Sequence, residues 1–583
     1  MPRRLVVLFL LWLAIGLPGF GQGFSAKQTT VTGTVVDGMS GNPIVGATVT
    51  LHDAKGMPRT VVVDERRGGF GFGKLEPGVY TLRAARSGFS GGGYAQRTPL
   101  GPISTLELAP EEQVNVRLVL WPNPTVRGKV VDAFGDPIAK VSVRAFIQTF
   151  VGGHAKLLPH LAAATNDLGE YSVSLVPRTY FIAIPNVGLP AQSRRNEVLD
   201  PLISAGYPTT FYPTGSTAAT AAALELQAGE TRSGIDFVLV KSRALRVAGV
   251  VVGFESRKEP IEVRLVPSAT GSDTRGLEVA RSYTAADGSF EFAMVPPGAY
   301  SIRAVAYPTQ TQRDVDETVA AFQSGDGSAF AGFRPGNTTA LAPTPTGSTL
   351  WADVPIRVDE QDLLGVSVRL EQGAHIEGQL IFRGSADRPS DEKLATTPLF
   401  ILAADGRDLG QFPLTRIQPG GRFVTIGLPP GKYHLSAPLG LGPWRIAAVR
   451  GLELDRPIVL GSVDINDLQV TLTDKTTVLS GTARDERGML QPHAPIYVFP
   501  KDKTLWTDFG PWPSRIRRVQ ASRAARWQVT GLPPGDYYVA STWASIHEAW
   551  MHNEVFDRLA RLASPISIAD GQSRSIDLTV SGR

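Results

Sequence analysis

Eight histidines and one serine motif are the residues of this chain whose spacing suggests chemistry. A metallopeptidase site of the H-x-x-E type is absent, because none of the eight histidines has a glutamate three residues later. His547 and His552 lie about 140° apart on a helix, whereas two zinc ligands on one helix face need a spacing of four. Ser90 is the centre of a G-x-S-x-G motif, but it lies in a glycine-rich loop and not between a strand and a helix. The sequence therefore predicts no catalytic residue, no metal site and no cofactor.

Six aromatic residues, most of them close to prolines, are the candidate ligand-binding residues. Flat aromatic rings stack on sugar faces, and loops at the ends of strands commonly carry binding sites. The candidates are Tyr207, Phe211, Tyr212, Trp506, Trp512 and Trp543. The same rings could instead cap the end of a folded unit, and the sequence leaves both interpretations open.

The charge balance argues against a nucleic-acid partner. The 58 Lys and Arg residues against 54 Asp and Glu residues leave a formal net charge of +4. No long basic run occurs, so the electrostatic footprint of a polyanion-binding protein is missing. The chain has no cysteine, which excludes disulfides and thiolate sites. Each folded unit must therefore be stabilised by its hydrophobic core.

The first residues are typical of an export signal. Arg3 and Arg4 are followed by an apolar run over 5–15 and by small residues over 19–21. The run is too short to cross a bilayer as a helix, which needs about 20 residues. We therefore predict a signal peptide over 1–22, export to the periplasm, the outer surface or the medium, and no transmembrane span in the mature chain.

The rest of the chain repeats one pattern five times. Abundant glycine and proline, 61 and 44 residues, favour short strands and turns over helices. Each copy opens with a strand that contains a glycine: Gly33, Gly128, Gly249, Gly378 and Gly481. Each copy closes with alternating apolar and polar residues, over 114–118, 235–239, 366–370, 468–472 and 576–580. This alternation predicts half-buried antiparallel strands in two packed sheets.

The middle of each copy combines an aromatic residue with a proline, a glycine and a tyrosine. Ten residues separate the aromatic residue from the tyrosine in four copies, in the pairs Phe70/Tyr80, Phe290/Tyr300, Phe423/Tyr433 and Trp527/Tyr537. We expect a type II turn, with the glycine at positive φ, that places both rings on paired antiparallel strands. The second copy departs from the pattern, since Arg178 replaces the glycine before Tyr180. The recurring tyrosine is interpreted as a core residue with a bonded hydroxyl.

These patterns predict an all-β protein of tandem Ig-like or prealbumin-like β-sandwich modules. The predicted modules cover 29–120, 124–241, 244–371, 373–474 and 477–583, with a long loop over 306–352 in the third. One short helix is predicted over 553–563, capped by Asn553 and with Val555, Phe556, Leu559 and Leu562 on one face.

The pattern resembles the carboxypeptidase regulatory-like domain, a transthyretin-like or prealbumin-like sandwich. The resemblance is carried by residues 33–37, 41–47, Phe70 and 77–80, and modules two to five match it less completely. The last module is also similar to large secreted multi-module proteins of soil bacteria, through 498–502, 532–538 and 569–571. The resemblance implies a module without an active site of its own, and a fold grouped with carbohydrate-binding sandwiches.

The sequence thus predicts a non-catalytic, exported structural or binding array at the cell envelope. The expected partner is a polysaccharide or cell-wall glycan, or another envelope protein. Two alternatives stay open: an accessory or regulatory subunit of an outer-membrane transporter or secreted peptidase, and a hydrolase with unfamiliar chemistry. Fold analogy alone does not decide between them.

Overall fold

The computed structural model of the protein describes residues 29–582 with interruptions. The segments outside the described residues are 54–56, 65–67, 187–204, 244, 255–259, 269–276, 308–347, 396, 408–413, 437–440, 450–451, 453, 455 and 545–549. The predicted signal peptide, His547 and most of the predicted loop over 306–352 therefore lie outside the described residues.

Five copies of a seven-stranded unit follow one another, and we label the strands β1 to β7 within each unit. Strand β1 covers Thr30–Asp37, Thr125–Asp132, Leu245–Val252, Ile376–Arg383 and Val478–Arg484. Strand β4 covers Gly69–Phe72, Glu170–Ser174, Ser289–Val295, Arg422–Val424 and Arg526–Thr530. Strand β7 covers Gln113–Pro122, Thr231–Arg232 with Phe237–Leu239, Leu363–Arg369, Ile465–Thr473, and Ser573–Ser575 with Leu578–Thr579. These three strands form the first sheet, in the order β4-β1-β7.

The other four strands of each unit form the second sheet, in the order β3-β2-β5-β6. Strand β2 covers Thr48–His52, Ser142–Val151, Glu262–Pro267, Pro398–Ala403 and Pro495–Pro500. Strand β3 covers Pro58–Val62, His154–Ala164, Ala280–Tyr283, Leu414–Ile417 and Arg517–Gln520. Strand β5 covers Gly78–Ala85, Thr179–Ile184, Gly298–Ala306, Gly431–Ser436 and Gly535–Ser541. Strand β6 covers Leu106–Leu108, Leu224–Glu225, Leu350–Val358, Ile458–Leu460 and Ser564–Ile568.

The all-β sandwich prediction is confirmed, but two predicted strand relationships are wrong. The closing strand β7 runs parallel to β1 in every unit, as in the register Gly33↔Val116. Alternation of apolar and polar residues reports a half-buried face and carries no information about strand direction. In modules one, two, three and five the aromatic strand β4 and the tyrosine strand β5 belong to opposite sheets, so they do not form one hairpin. In module four they share a sheet but are separated in it by β3 and β2.

Module four differs from the other units, because its two sheets are continuous. Strand β3 pairs with both β2 and β4 there, for example through Ile417↔Phe423. The added strand Arg445–Val449 extends the same sheet, which has eight strands in total. We propose the predicted module boundaries as domain boundaries, since the main cluster of buried apolar residues of each unit falls largely within them.

The glycine of β1 is required by the close approach of three strands. In each unit this glycine pairs with the aromatic residue of β4, in the registers Gly33↔Phe70, Gly128↔Tyr171, Gly249↔Phe290, Gly378↔Phe423 and Gly481↔Trp527. A Cβ atom at these five positions would lie only 1.8–2.3 Å from a carbonyl oxygen of β7 or, in modules two and five, of the residues that join its two pieces. The aromatic ring covers the space that a side chain would otherwise fill. The glycine of β1 and the aromatic residue of β4 therefore depend on each other.

The recurring tyrosine closes the corner that leads into β5. The hydroxyl of Tyr80 donates to Glu76 O at 2.7 Å, and that of Tyr300 donates to Pro296 O at 2.7 Å. Tyr433 and Tyr537 donate to Pro429 O and Pro533 O, both at 2.6 Å. In module two, Tyr180 is fully buried at the same position. The predicted core role with a bonded hydroxyl thus holds for four tyrosines.

The predicted type II turn at the Pro-Gly pair is wrong, because its glycine needs a φ of about +80°. Gly298 and Gly431 have no positive φ, Gly78 and Gly535 have φ values of +159° and +151°, and each of the four is the first residue of β5. In modules four and five the glycine instead leaves room for an arginine. A Cβ atom on Gly431 or Gly535 would lie 1.7 Å or 2.6 Å from a guanidinium nitrogen of Arg407 or Arg515. Steric space therefore explains Gly431, whereas Gly535 also has a φ of +151°, which other residues rarely adopt.

Two α-helices are present among the described residues. The helix Asn553–Ala560 buries Val555, Phe556 and Leu559 as predicted. It ends three residues before the predicted limit, since the chain must enter β6 of module five at Ser564, and Leu562 is 53% exposed. Its N-cap is His552 and not Asn553. A second, short helix, Asp391–Ala395, was not predicted.

Candidate functional site

The candidate aromatics of module two pack within that module. Phe211 is 1% exposed and lies 6.3 Å from the ring of Phe146. Tyr212 is half-buried, with its ring 6.1 Å from Phe237. Tyr207 is also half-buried and packs against the same core. Tyr207 and Tyr212 therefore keep part of their surface available, whereas Phe211 serves the interior.

The three candidate tryptophans of module five occupy different surroundings. Trp506 is 2% exposed, and its Nε1 donates to Pro500 O at 2.8 Å. Trp512 is half-buried and lies edge-on to Phe400 of module four, at 5.3 Å. Trp543 is half-buried beneath Arg97 of module one, whose Cζ lies 3.9 Å from the ring centroid. The candidate aromatics belong to separate clusters, and their binding of a ligand stays a prediction.

A loop of module five joins modules two and four at Asp508. Its carboxylate accepts from His154 Nε2 of module two and from Lys432 Nζ of module four, both at 2.8 Å. Its carbonyl oxygen contacts His434 Nε2 of module four at 2.5 Å. Burial raises the pKa of Asp508, but the hydrogen bonds from Lys432 and His154 outweigh it and lower that pKa. Asp508 thus stays ionised and accepts hydrogen bonds from two different modules.

Main-chain contacts at the same junction depend on glycines. The Asp508 amide donates to Gly152 O at 2.8 Å, and the Gly510 amide donates to Ala404 O at 3.1 Å. Gly152 is in the hairpin between β2 and β3 of module two, with φ at +58°. A Cβ atom on Gly152 would lie 2.0 Å from Ala404 O. The hairpin therefore reaches into the junction only because it ends in glycine.

Modules one and five, the first and last of the series, are in direct contact. Ser104 Oγ donates to Gln520 Oε1 at 2.7 Å, and Gln520 Nε2 donates to Pro102 O at 3.2 Å. His493 Nδ1 lies 2.9 Å from the same Ser104 hydroxyl. Because that hydroxyl gives its proton to Gln520, His493 Nδ1 must be the donor in this pair. The ring of Tyr94 packs edge-on against His493 at 5.5 Å.

Charged groups surround this contact. Arg523 Nη2 of module five binds Glu112 Oε1 of module one at 2.6 Å. Arg97 and Arg523 both act on His493, and burial together with these two cations lowers the pKa of His493. The pKa of Glu112 is lowered by its hydrogen bond from the Ala109 amide and by Arg523. The interface therefore favours a neutral histidine and an ionised glutamate.

We expect acidification to open the contact between modules one and five. An exposed histidine has a pKa of about 6.5. The separated form therefore binds the proton of His493 more tightly than the closed form does, and closure weakens as the pH falls below about 6.5. Protonation of Glu112 weakens the closed contact further, but only below about pH 4.5, near the ordinary glutamate pKa. The measurement is energy transfer between dyes on Val62→Cys and Met489→Cys, which is practical because the chain has no cysteine.

The control for this prediction is His493→Gln, which keeps a hydrogen-bond donor but does not titrate. Its energy transfer should be constant between pH 5 and 8. If the unmodified interface also shows no change in that interval, the proposed role of His493 is wrong.

A cleft of about 450 Å³ lies where modules one and five meet. Its walls include Arg83, Gly101 and Ile103 from module one and Arg518, Val519 and Gln520 from module five. A second cleft, of about 530 Å³, lies on module two beside Arg127, Lys129 and Glu170. The sequence did not predict either cleft, since each is formed by residues far apart in the chain.

The loop that contains Asp508 had one local signal in the sequence. Asp508 lies in an aromatic-rich stretch, 505–512.

Ser90, the centre of the G-x-S-x-G motif, is buried and hydrogen-bonded inside the protein. Ser90 is 2% exposed, and its hydroxyl donates to Asn123 Oδ1 at 2.9 Å. Within the described ranges, no group of three or more His, Asp or Glu side chains is placed to hold a metal ion. In the same part of the chain, no helix has the length and apolar character needed to cross a bilayer.

Three of the solved structures that match this chain are bacterial proteins. The TIE protein of Bacillus anthracis matches at 10% identity and a TM-score of 0.14, covering 93% of this chain and 68% of that one. The minor pilin GBS52 of Streptococcus agalactiae matches at 12% identity and a TM-score of 0.21, over 36% and 96% of the two chains. The shaft pilin SpaA of Lactobacillus rhamnosus GG matches at 9% identity and a TM-score of 0.20, over 37% and 98%.

A search of curated proteins found no match. The model of the carboxypeptidase regulatory-like domain matches residues 30–120, which runs from the start of β1 into β7 of module one. This match confirms the resemblance that the opening glycine strand and the Pro-Gly-x-Tyr corner predicted. Over residues 30–120, the chain is therefore similar to the carboxypeptidase regulatory-like domain.

Proposed function

We propose that this chain is a non-catalytic, exported protein that acts as a structural and binding scaffold at the bacterial cell envelope. The observation that carries the proposal is the set of contacts between modules distant in sequence. Asp508 ties module five to modules two and four, and Gln520 ties it to module one. Such contacts hold several sandwiches in one arrangement and leave their loops available for binding.

The finer part of the proposal is recognition of a polysaccharide or cell-wall glycan. Trp512 supports it, because its ring is half-exposed and is held in place by the edge of Phe400. A ring held in one orientation loses little freedom on binding. The half-exposed rings of Tyr212 and Trp543 offer the same chemistry at two other places.

The test measures retention of the purified chain on insoluble cellulose, xylan, chitin and peptidoglycan. We expect retention by at least one of them, and a loss of about tenfold in affinity for Trp512→Ala, as for an aromatic anchor. Phe400→Ala is the matched control, because it disturbs the same packing and keeps the exposed ring. Equal losses in the two variants would assign the effect to packing and contradict a direct role for Trp512.

Two further outcomes would distinguish the proposed scaffold from an accessory subunit and from a hydrolase. Retention on no polysaccharide, together with co-purification of a transporter or peptidase, would favour an accessory subunit. Turnover in a hydrolase screen would contradict the non-catalytic proposal.

A further inference from the structure

We propose that the cleft between modules one and five binds the carboxylate of an acidic sugar, a uronate, between Arg83 and Arg518. This inference rests on the proposed glycan-binding function and assigns it a substrate class and a place. Among the described residues that line the cleft, these two arginines are the charged ones, and each comes from a different module. In our proposal, one anion in the cleft is bound by an arginine from each module.

Among the described residues, no carboxylate forms an ion pair with either arginine. Arg83 projects from β5 of module one as an exposed side chain, and no ion pair links it to a described carboxylate. Arg518, on β3 of module five, likewise pairs with no described carboxylate, and the hydroxyl beside it, that of Tyr497, is a neutral group whose pKa is raised by burial. Its neighbours are the Tyr497 side chain and the ring of Trp550, whose centroid lies 5.6 Å from Cζ.

An unbalanced, partly buried guanidinium is costly for the folded protein. Burial lowers the pKa of Arg518, which means that the surroundings disfavour its charge. A buried charge is normally paired, and removing one partner of such a pair is strongly destabilising. The nearby Arg523 is paired with Glu112 in the same interface, so the region does balance a charge where a carboxylate is present. The cleft is the place from which an external anion could balance Arg518.

The rest of the lining suits a sugar acid better than a bare inorganic ion. Leu100, Pro102, Ile103 and Val519 offer apolar surface for the C–H face of a ring. The volume of about 450 Å³ falls within the range of small-ligand pockets. Guanidinium groups recognise carboxylates through paired hydrogen bonds, which a neutral sugar cannot accept with equal strength.

Ligand binding in the cleft should stabilise the contact between modules one and five. Because its two walls belong to modules one and five, the site exists only while these modules are in contact. A ligand that binds only the closed form stabilises that form by mass action. Uronate binding should therefore raise the energy transfer between the Val62→Cys and Met489→Cys dyes under mildly acidic conditions.

The experiment is calorimetric titration of the full chain with trigalacturonate, with neutral galactotriose and with inorganic phosphate as separate arms. We expect binding of trigalacturonate that weakens with salt, and no comparable binding in the other two arms. Arg83→Gln should weaken it roughly 10- to 100-fold, as for loss of a charged hydrogen bond. Arg117→Gln is the control, because it removes the same charge from an exposed position of module one outside this cleft.

Three results would overturn the inference: equal binding of the neutral trisaccharide, binding of phosphate as tight as that of the uronate, or unchanged binding by Arg83→Gln. Arg83 is exposed, so its replacement leaves the core of module one intact. Retention of the unmodified chain on neutral polysaccharides, with no response to trigalacturonate, would reject this site and leave the proposed function standing.

Discussion

Gly33→Ala is expected to destabilise module one by about 3 kcal/mol, at the upper end of the cost of overpacking a core. The new Cβ atom would lie 2.2 Å from Val116 O of β7 and 2.8 Å from the Phe70 ring. Because both neighbours belong to strands of the same sheet, the sheet must open to accept a methyl group. Hydrogen exchange followed by mass spectrometry on the full chain would show faster exchange over 30–120 than in the unmodified protein.

Gly73→Ala is the matched control in the same module. A Cβ atom at that position has no neighbour within 4 Å, and the residue does not have a positive φ. The substitution should change the free energy of unfolding by less than about 1 kcal/mol. Similar exchange in the two variants would show that the close approach of β1 and β7 is not what requires the glycine.

Tyr537→Phe is expected to destabilise module five by about 2 kcal/mol, which is within the range for a hydrogen bond to a charged group. The hydroxyl donates to Pro533 O at 2.6 Å and accepts from Arg515 Nη1 at 3.1 Å. Tyr537 is fully buried, so water cannot replace either bond. The same exchange measurement over 477–583 reports the loss.

Tyr300→Phe in module three is the comparison that isolates the contribution of Arg515 to the stability of module five. Its hydroxyl donates to Pro296 O at 2.7 Å, and burial raises the pKa of Tyr300 to about 12, so it remains a donor at neutral pH. We expect a cost of about 1 kcal/mol, the usual value for a neutral hydrogen bond. If the two variants lose equal stability, Arg515 adds nothing to the corner of module five.

Local patterns were sufficient to predict the repeated sandwich. The glycine of β1, the aromatic residue of β4 and the tyrosine of β5 recur in every unit, because each meets a steric or hydrogen-bonding need inside one unit. The aromatic residue and the tyrosine are ten residues apart in four of the five units. The short helix Asn553–Ala560 was predictable for the same reason, since its apolar residues lie on one face. Strand direction was not, because parallel and antiparallel strands share the same alternation.

The candidate site was predictable only in part. Six aromatic residues were identified by type, but whether a ring faces solvent or a neighbouring module depends on how modules meet. Phe211 and Trp506 proved to be buried, whereas Trp512 and Trp543 lie half-buried against modules four and one. Arg518 carried no pattern that distinguished it from an ordinary surface charge, and Asp508 was marked only by the aromatic-rich stretch 505–512 around it.

By itself, the sequence determined the fold class, the number of repeats and the core of each sandwich, because these depend on residues close together in one unit. Only the tertiary structure decided that module five contacts modules one, two and four, and that Arg83 and Arg518 face one cleft. Single contacts between distant surfaces, such as Asp508 with His154 or Ser104 with Gln520, have no period in the sequence. They depend on the angles between modules, which become defined only when the folded surfaces meet.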